Sequence, residues 1–259
     1  MEIHLDLEKL RKRKVMVATL VCGPTPAYLR SMLALQETLL IYGIPHAIEP
    51  LSGESDISLA RNKLSDTFLR SDCTDLLQAD NDVGFDAMDI LALLHFEKDV
   101  IGANCPRKQI DWNLIREAVL LDPSITAEKL ALMGATWMSA MSSVCKEIKI
   151  TEPLSVDSVA SGFSLISRAA FDRVAPGRPR FYVDEERKIT DFWSSGVHNE
   201  RWETEDYAFC RRFRELGGEI WIFPWMTLRH EGLHSFMGDF ATVLEFFSQH
   251  KQAYTLLTA

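Results

Sequence analysis

The sequence lacks the cysteine pattern of a disulfide-stabilised or zinc-binding protein. Its five cysteines (Cys22, Cys73, Cys105, Cys145 and Cys210) are scattered, odd in number and form no Cys-x-x-Cys pair. A disulfide framework or a structural zinc site is therefore not expected, and this usage is typical of a reducing compartment. We predict a cytoplasmic location.

Long apolar runs and excess positive charge are also missing. No run approaches the ~20 residues that cross a bilayer, so no transmembrane segment is expected. The net charge of -9 excludes a broad basic surface that coats nucleic acid, although a local groove stays possible. A basic cluster at residues 9–14 precedes the apolar run 15–22, which ends in Gly23-Pro24. We interpret this run as a first strand rather than a secretory signal.

The first 104 residues alternate between short apolar runs and helical patterns. Strands are predicted at residues 15–21, 44–51, 75–79 and 100–104, and helices at residues 27–42, 58–69 and 87–96. Such alternation predicts an α/β fold with a mostly parallel central sheet, right-handed crossovers and flanking helices. With 47% hydrophobic residues, 259 residues suffice for one large domain, predicted over residues 1–259.

The second part of the sequence has a weaker pattern. A strand is predicted at residues 159–167, a short helix up to residue 171, a helix at residues 205–216 and a strand at residues 219–223. Residues 176–202 are interpreted as a long polar loop that is mobile without a ligand, and an amphipathic helix is predicted from residue 240 to about 257.

Two carboxylates follow the apolar strand 75–79, in the order Asp80-Asn81-Asp82. Aspartates at the carboxyl end of a buried strand cannot enter the core unpaired. They could hold a hard divalent cation, which in turn could hold a diphosphate. The alternative is a chance Asp-x-Asp, because acidic residues are common at strand ends and helix starts.

Four segments together carry a resemblance to a known family. They are Val17-Ala18-Thr19, Ala60-Arg61-Asn62, Asp80-Asn81-Asp82 with Val83-Gly84-Phe85, and Glu203 to Arg212 followed by Gly217-Gly218 and Arg229 to His234. In order and spacing they resemble the nucleotide-sugar glycosyltransferases of the A-type fold, in particular small single-domain enzymes of bacteria and phages. The resemblance covers residues 15–104 and 159–236, and between them only Cys105-Pro106-Arg107-Lys108 and Asp111-Trp112 match.

The resemblance implies a Rossmann-like nucleotide-diphospho-sugar transferase fold. Its nucleotide-sugar-binding half would be residues 15–104, its acceptor half residues 105–236, and residues 237–259 would form a C-terminal helix. Transfer would go from a nucleotide-sugar donor to a hydroxyl acceptor, with inversion and with a bound metal. Mn2+ is favoured over Mg2+ because an imidazole ligand suits manganese better.

The family also implies roles for individual residues. Asp82 and His230, with Asp80, would bind the metal, and Asp80 would also meet the ribose or the donor sugar. Thr19 and Arg61 would contact the nucleotide and its pyrophosphate. Asp206 would be the general base, and Glu205 would bind the acceptor or orient the helix.

Each assignment has a structural alternative. The acidic start and basic end of the helix at residues 205–216 suit the helix macrodipole alone. His230 could be a strand-end histidine, with His234 as the rival ligand, and Arg61 a helix-surface arginine. Trp193 and Trp202 could form a sugar platform or simply pack.

Two other functions remain open at this point. A nucleotidyltransferase would use the same aspartates, but Gly23-Pro24-Thr25-Pro26 is neither Gly-rich nor basic. A sugar-nucleotide or glycan-binding module without catalysis is the second. The acceptor could be a glycan, a lipid, a protein or a modified nucleobase, and a phage-encoded enzyme would act in the host cytoplasm.

Overall fold

A computed structural model of the chain describes residues 3–138, 152–232 and 236–249. Its helices are α1 (Leu7–Leu10), α2 (Pro26–Tyr42), α3 (Ile57–Arg70), α4 (Ala87–His95), α5 (Trp112–Leu121), α6 (Ala127–Met133), α7 (Arg168–Val174), α8 (Glu205–Glu215) and α9 (Phe240–Ser248). Its strands are β1 (Val15–Val21), β2 (His46–Ser52), β3 (Asp75–Ala79), β4 (Val83–Gly84), β5 (Val100–Gly102), β6 (Pro106–Ile110), β7 (Ala135–Trp137), β8 (Leu154–Val156), β9 (Phe163–Ser167), β10 (Arg180–Tyr182), β11 (Lys188–Thr190), β12 (Gly196–His198), β13 (Arg201–Glu203), β14 (Ile220–Ile222), β15 (Thr227–His230) and β16 (Phe236–Asp239).

The core of the fold is a seven-stranded sheet in the order β2-β1-β3-β9-β5-β14-β8. Neighbouring strands are parallel in the pairs β1–β2, β1–β3 and β5–β14, whereas β9 is antiparallel to both β3 and β5, and β8 to β14. The predicted α/β fold, with a mostly parallel central sheet and flanking helices, is confirmed. Among the described residues, no helix is long and apolar enough to cross a membrane.

The strands of the first 104 residues are not all adjacent in the sheet. Strand β9, from the second part of the chain, lies between β3 and β5. Its first four residues are buried, as expected for a strand covered on both faces. Gly102 permits the close approach, because a Cβ there would lie 2.5 Å from the carbonyl oxygen of Phe163.

A smaller sheet, β16-β15-β4, and a ribbon of β6 and β7 lie beside the carboxyl end of β3. The pairing of β15 with β4 sets His230 opposite Val83, the residue that follows Asp82. Strand β6 contacts β15 and β16. Two segments that are far apart in sequence thus reach the predicted Asp-x-Asp motif.

Residues 176–202 do not form the predicted long loop. They contain the hairpin β10–β11, and β12 pairs with β13 in a second hairpin. The segment is held on α3 by Asn62, whose side-chain oxygen accepts hydrogen bonds from the backbone N–H groups of Phe192 (2.7 Å) and Trp193 (3.2 Å). The Trp193 indole donates to Ser65 Oγ at 2.8 Å. The sequence does not indicate these hydrogen bonds, because Asn62 is far in sequence from Phe192 and Trp193 and meets them only in the folded chain.

Trp193 therefore packs and forms no sugar platform. Its side chain is 1% exposed, and its ring stacks on Phe209 with centroids 4.6 Å apart. Trp202 is 70% exposed in β13. The C-terminal helix begins at Phe240 as the amphipathic pattern predicted, and it spans Phe240–Ser248. Residues 237–239, which the resemblance assigned to this helix, lie in β16 instead because they pair with β15. The predicted end of the helix near residue 257 lies outside the described residues.

The side chain of Arg168 caps the carboxyl end of α3. Its guanidinium donates hydrogen bonds of 2.8–3.0 Å to the carbonyl oxygens of Phe68, Leu69, Ser71 and Cys73. These oxygens lie at the negative end of the helix macrodipole, so a cation is favoured there. The contact joins α7 to α3.

We predict that Arg168→Met lowers the free energy of unfolding by about 2–4 kcal/mol, because several carbonyl groups lose a charged donor at once. Urea denaturation followed by circular dichroism measures the change. Arg116→Met is the matched control, since Arg116 on α5 is 67% exposed and contacts Glu117 alone among the ion pairs of the described residues. A loss no larger than that of the control contradicts the prediction.

Candidate active site

A cavity of about 390 Å3 opens at the carboxyl end of β3. It lies between α3, the turn before β9 and the first turn of α8. Among the residues that line it are Arg61, Asp80, Glu205, Asp206 and His230. The fold thus brings together five residues that the sequence marked as site candidates, from four separate segments.

Arg61 lies at the floor of this cavity. The residue is only 3% exposed, so it is not a helix-surface arginine. Its Nη2 donates to Asp80 Oδ1 at 3.3 Å and its Nη1 to the carbonyl oxygen of Ser161 at 3.1 Å. Its Nε lies 3.3 Å from Glu205 Oε1. One guanidinium therefore contacts two carboxylates that would otherwise repel each other.

Asp80 is fixed by the turn before β9. Its backbone N–H donates to the carbonyl oxygen of Gly162 at 2.9 Å, where the pairing of β3 with β9 ends. A Cβ on Gly162 would lie 2.9 Å from Asp80 Oδ2. Any other residue at position 162 would therefore push the Asp80 carboxylate out of its present position.

Asp82 lies just beyond, between two basic side chains. Lys108 of β6 donates to its Oδ2, and His230 Nε2 lies 3.5 Å from its Oδ1. Burial alone would raise the pKa of Asp82, but the hydrogen bonds and charges of His230 and Lys108 outweigh burial and hold that pKa below its usual value. Asp82 is thus an ionised carboxylate that is already paired with the Lys108 ammonium.

The hydrogen bonds of His230 define its tautomer. Its Nδ1 lies 2.8 Å from the carbonyl oxygen of Pro106. A carbonyl only accepts, so Nδ1 carries a proton. In the neutral ring the lone pair is then on Nε2, the atom that faces Asp82. With its Nδ1 proton directed to a carbonyl, the ring can donate from Nε2 to Asp82 when it is protonated and can bind a metal ion through Nε2 when it is neutral.

Asp206 lies in the first turn of α8 and is 8% exposed. Its Oδ1 accepts from the Thr204 hydroxyl and from the backbone N–H of Tyr207 at 2.9 Å. Among the described residues, its Oδ2 has a single long hydrogen bond, from the backbone N–H of Ser161 at 3.4 Å. The carboxylate is held firmly through Oδ1 while Oδ2 keeps room for another donor.

Glu205 is buried beside Asp206. Burial raises the pKa of Glu205, the negative charge of Asp206 raises it further, and Arg61 lowers it only in part. The macrodipole alone does not explain these two residues, because a charge that only complements the dipole could stay in solvent. Glu203, by contrast, pairs with Arg211 at 2.9 Å and supports the helix.

The structure leaves some candidates apart and adds others. Thr19 is buried in β1 near Tyr28 and is not among the described residues that line the cavity. His234 lies outside the described residues. Arg107 and Lys108 belong to the segment Cys105-Pro106-Arg107-Lys108, which has no strand pattern in the sequence but lies in β6, from which Lys108 contacts Asp82.

The fit of the site to a divalent ion can be judged from its donor atoms. The described residues contain no group of three or more His, Cys, Asp or Glu side chains arranged around one ion. Asp82 and His230 offer two donors, whereas Asp80 is bound by Arg61. The pair fits an ion such as Mn2+ whose remaining ligands are water and phosphate oxygens.

A second cavity, of about 480 Å3, is mostly apolar. Ile110, Trp112, Ile115, Leu130 and Met237 are among its lining residues. None of the described residues that line it is titratable. Of these two cavities, the first is the one whose described lining combines carboxylates with basic side chains, and it also contains the candidates from the sequence; it is the candidate active site.

Comparisons with known proteins add little to this geometry. No protein-family model matches the sequence, and no curated protein matches it. The chain is similar to the crystal structure of GalNAc-T7 with UDP, GalNAc and Mn2+, with 10% identity and a TM-score of 0.39. The match covers 83% of this chain and 43% of that one, so this chain spans less than half of that protein's length. A similarity of this size carries no functional argument.

The raised pKa of Glu205 predicts a pH-dependent stability. The folded state holds the Glu205 proton more tightly than the unfolded chain, so wild-type stability decreases as the pH rises from about 4.3, the unfolded value, through the folded pKa. Glu205→Gln has no such proton. We expect the free energy of unfolding of Glu205→Gln, relative to wild type, to increase between pH 4 and pH 7.

Chemical denaturation at several pH values measures this difference. Glu185→Gln, at an exposed position, reports the effect of removing a carboxylate without burial. A difference between Glu205→Gln and wild type that stays constant over the range would show that Glu205 is not destabilised as an anion.

Proposed function

We propose that this protein is a metal-dependent glycosyltransferase that moves a sugar from a nucleotide-sugar donor to a hydroxyl acceptor with inversion. The observation that carries the proposal is the cavity itself. It gathers Arg61, Asp80 and Asp206 next to the Asp82–His230 pair at the carboxyl end of the central sheet. Ligands of open α/β sheets bind at this end of the strands.

Asp82 and His230 would hold the metal, and the donor's diphosphate would complete its ligands. When bound, the ion neutralises the negative charge that develops on the diphosphate as it leaves. The mixed oxygen and nitrogen donor set favours Mn2+ over Mg2+. Asp80, oriented by Arg61, would accept hydrogen bonds from the ribose or the donor sugar.

Asp206 would be the general base. In the transfer, the acceptor oxygen forms a bond to the anomeric carbon while the bond to the diphosphate breaks. The acceptor proton goes to Asp206 Oδ2, the carboxylate oxygen that accepts one long hydrogen bond from the part of the chain that the structure describes. Attack on the face opposite to the leaving group inverts the anomeric centre. Glu205 would act through Arg61, which it contacts.

The assignment of a single domain with a donor half and an acceptor half belongs to the same proposal, as do Thr19 as a nucleotide contact and a cytoplasmic location. The acceptor in this proposal is a hydroxyl group on a glycan, a lipid, a protein or a modified nucleobase. A thermal-shift screen of nucleotide sugars with and without Mn2+ identifies the donor, because ligands of the native state raise its melting temperature.

The nucleotidyltransferase alternative is weakened by the start of α2. Such an enzyme would bind phosphates on the loop that follows the first strand. Here the Ala27 N–H at that helix start donates to the carboxylate of Glu231 at 3.1 Å. An anion already occupies the position that a phosphate would need.

Asp206→Asn tests the base. The asparagine keeps the shape but cannot take the proton, so we expect donor turnover to fall roughly 10²–10⁴-fold with donor binding and fold unchanged. Release of nucleoside diphosphate from the donor found in the screen measures turnover, with water as acceptor if no better one is known. Asp172→Asn, at an exposed position on α7, is the control. A rate within a few-fold of wild type removes Asp206 from the mechanism.

Asp82→Ala and His230→Ala test the metal site. Each should weaken Mn2+ binding by about ten-fold or more, equal to about 1.4 kcal/mol, because each removes one of two protein ligands. Isothermal titration with Mn2+ in the presence of the donor measures the affinity, with His198→Ala in β12 as control. A larger loss in His234→Ala than in His230→Ala would transfer the role to His234, and full activity in excess EDTA would refute metal dependence.

A further inference from the structure

Asp82 is contacted from two sides by groups with different chemistry. On Oδ1 it faces His230 Nε2 at 3.5 Å, and on Oδ2 it accepts a hydrogen bond from the Lys108 ammonium. The Lys108 side chain is 37% exposed and that of Asp82 is 26% exposed. The ion pair therefore lies at the open edge of the site, where an entering ligand can reach it.

We propose that Lys108 is a tethered cation that competes with the divalent metal for Asp82, and that the donor's diphosphate releases this competition by binding Lys108. The proposal rests on the metal site of the proposed function. It adds a role for Lys108, which belongs to neither the Asp-x-Asp motif nor the acidic start of α8.

An ammonium and a divalent ion on the same carboxylate repel each other at close range. Metal binding at Asp82 and His230 is therefore weaker while Lys108 stays at Oδ2 and stronger once Lys108 withdraws. The withdrawal is feasible, because a lysine ammonium sits on a flexible stem and this one is already partly hydrated.

A Lys108 ammonium that leaves Asp82 needs another anionic partner. The other carboxylates of the cavity are engaged: Asp80 and Glu205 contact Arg61, and Asp206 accepts three hydrogen bonds. At each of these carboxylates Lys108 would have to share the anion with partners that are already present. A diphosphate that enters with the donor would supply the missing anion, and Lys108 would then bind the leaving group.

The consequence is a coupling between metal and donor. Without a diphosphate, wild-type protein binds the metal against the competition of Lys108. With the diphosphate bound, Asp82 is available. By linkage the metal and the anion each raise the affinity of the protein for the other.

The test measures Mn2+ binding to the full chain without donor, by isothermal titration or by the electron paramagnetic resonance of free Mn2+. Lys108→Met keeps the length of the side chain and removes the charge. We expect it to bind Mn2+ about five-fold or more tightly than wild type, a typical size for such coupling. Lys63→Met, which breaks a comparable pair with Glu54 away from the cavity, should match wild type.

The second arm uses inorganic pyrophosphate in metal-free buffer. In this arm the expected change in affinity has the opposite sign. Lys108→Met should bind pyrophosphate more weakly than wild type, because a phosphate-binding cation is lost. Lys108→Gln provides a second neutral side chain, so that both shifts can be attributed to the charge. Equal or weaker Mn2+ binding by both neutral variants overturns the proposal, and so does unchanged pyrophosphate binding.

Asp82→Asn separates this proposal from the proposed function. If Asp82→Asn abolishes Mn2+ binding while wild type and Lys108→Met bind it equally, the metal site stands and the role of Lys108 fails. If Mn2+ binding does not depend on Asp82 in any of the proteins, the metal site itself is wrong and both proposals fall.

Discussion

The candidate site depends on one buried guanidinium. Arg61 contacts Asp80 at the end of β3, the carbonyl oxygen of Ser161 before β9, and Glu205 at the start of α8. A buried charge must be paired, and so must the carboxylates around it. Because Arg61 lies between Asp80 and Glu205, these acidic groups can share a small cavity without forcing the surrounding segments apart.

That arrangement in turn depends on the sheet. Strand β9 reaches Asp80 only because it enters between β3 and β5, which brings Ser161 and Gly162 to the end of β3. Helix α8 is held by its apolar face, where Phe209 and Phe213 are buried in the core. The charged cluster and the core are thus positioned by the same strand insertion.

The sequence predicted the parts of this architecture whose periodicity is strong. The bounds of β1 and β3 agree with the prediction, and so does the start of α8 at Glu205. The antiparallel direction of β9 could not be predicted, because an apolar run buried on both faces looks the same in either orientation. Strand β6 was missed because its central residues, Arg107, Lys108 and Gln109, are exposed and show no alternation.

The insertion of β9 also has a consequence for biosynthesis. As the chain emerges from the ribosome, β3 and β5 are made more than fifty residues before the strand that joins them. Until residue 167 has appeared, two apolar strand edges in the middle of the future sheet have no partner. Nascent chains with such unpaired edges are prone to aggregate unless chaperones bind them. The βα units at the start of the sequence look like a self-contained fold. They cannot join into one sheet until β9, in the second half of the chain, has been translated.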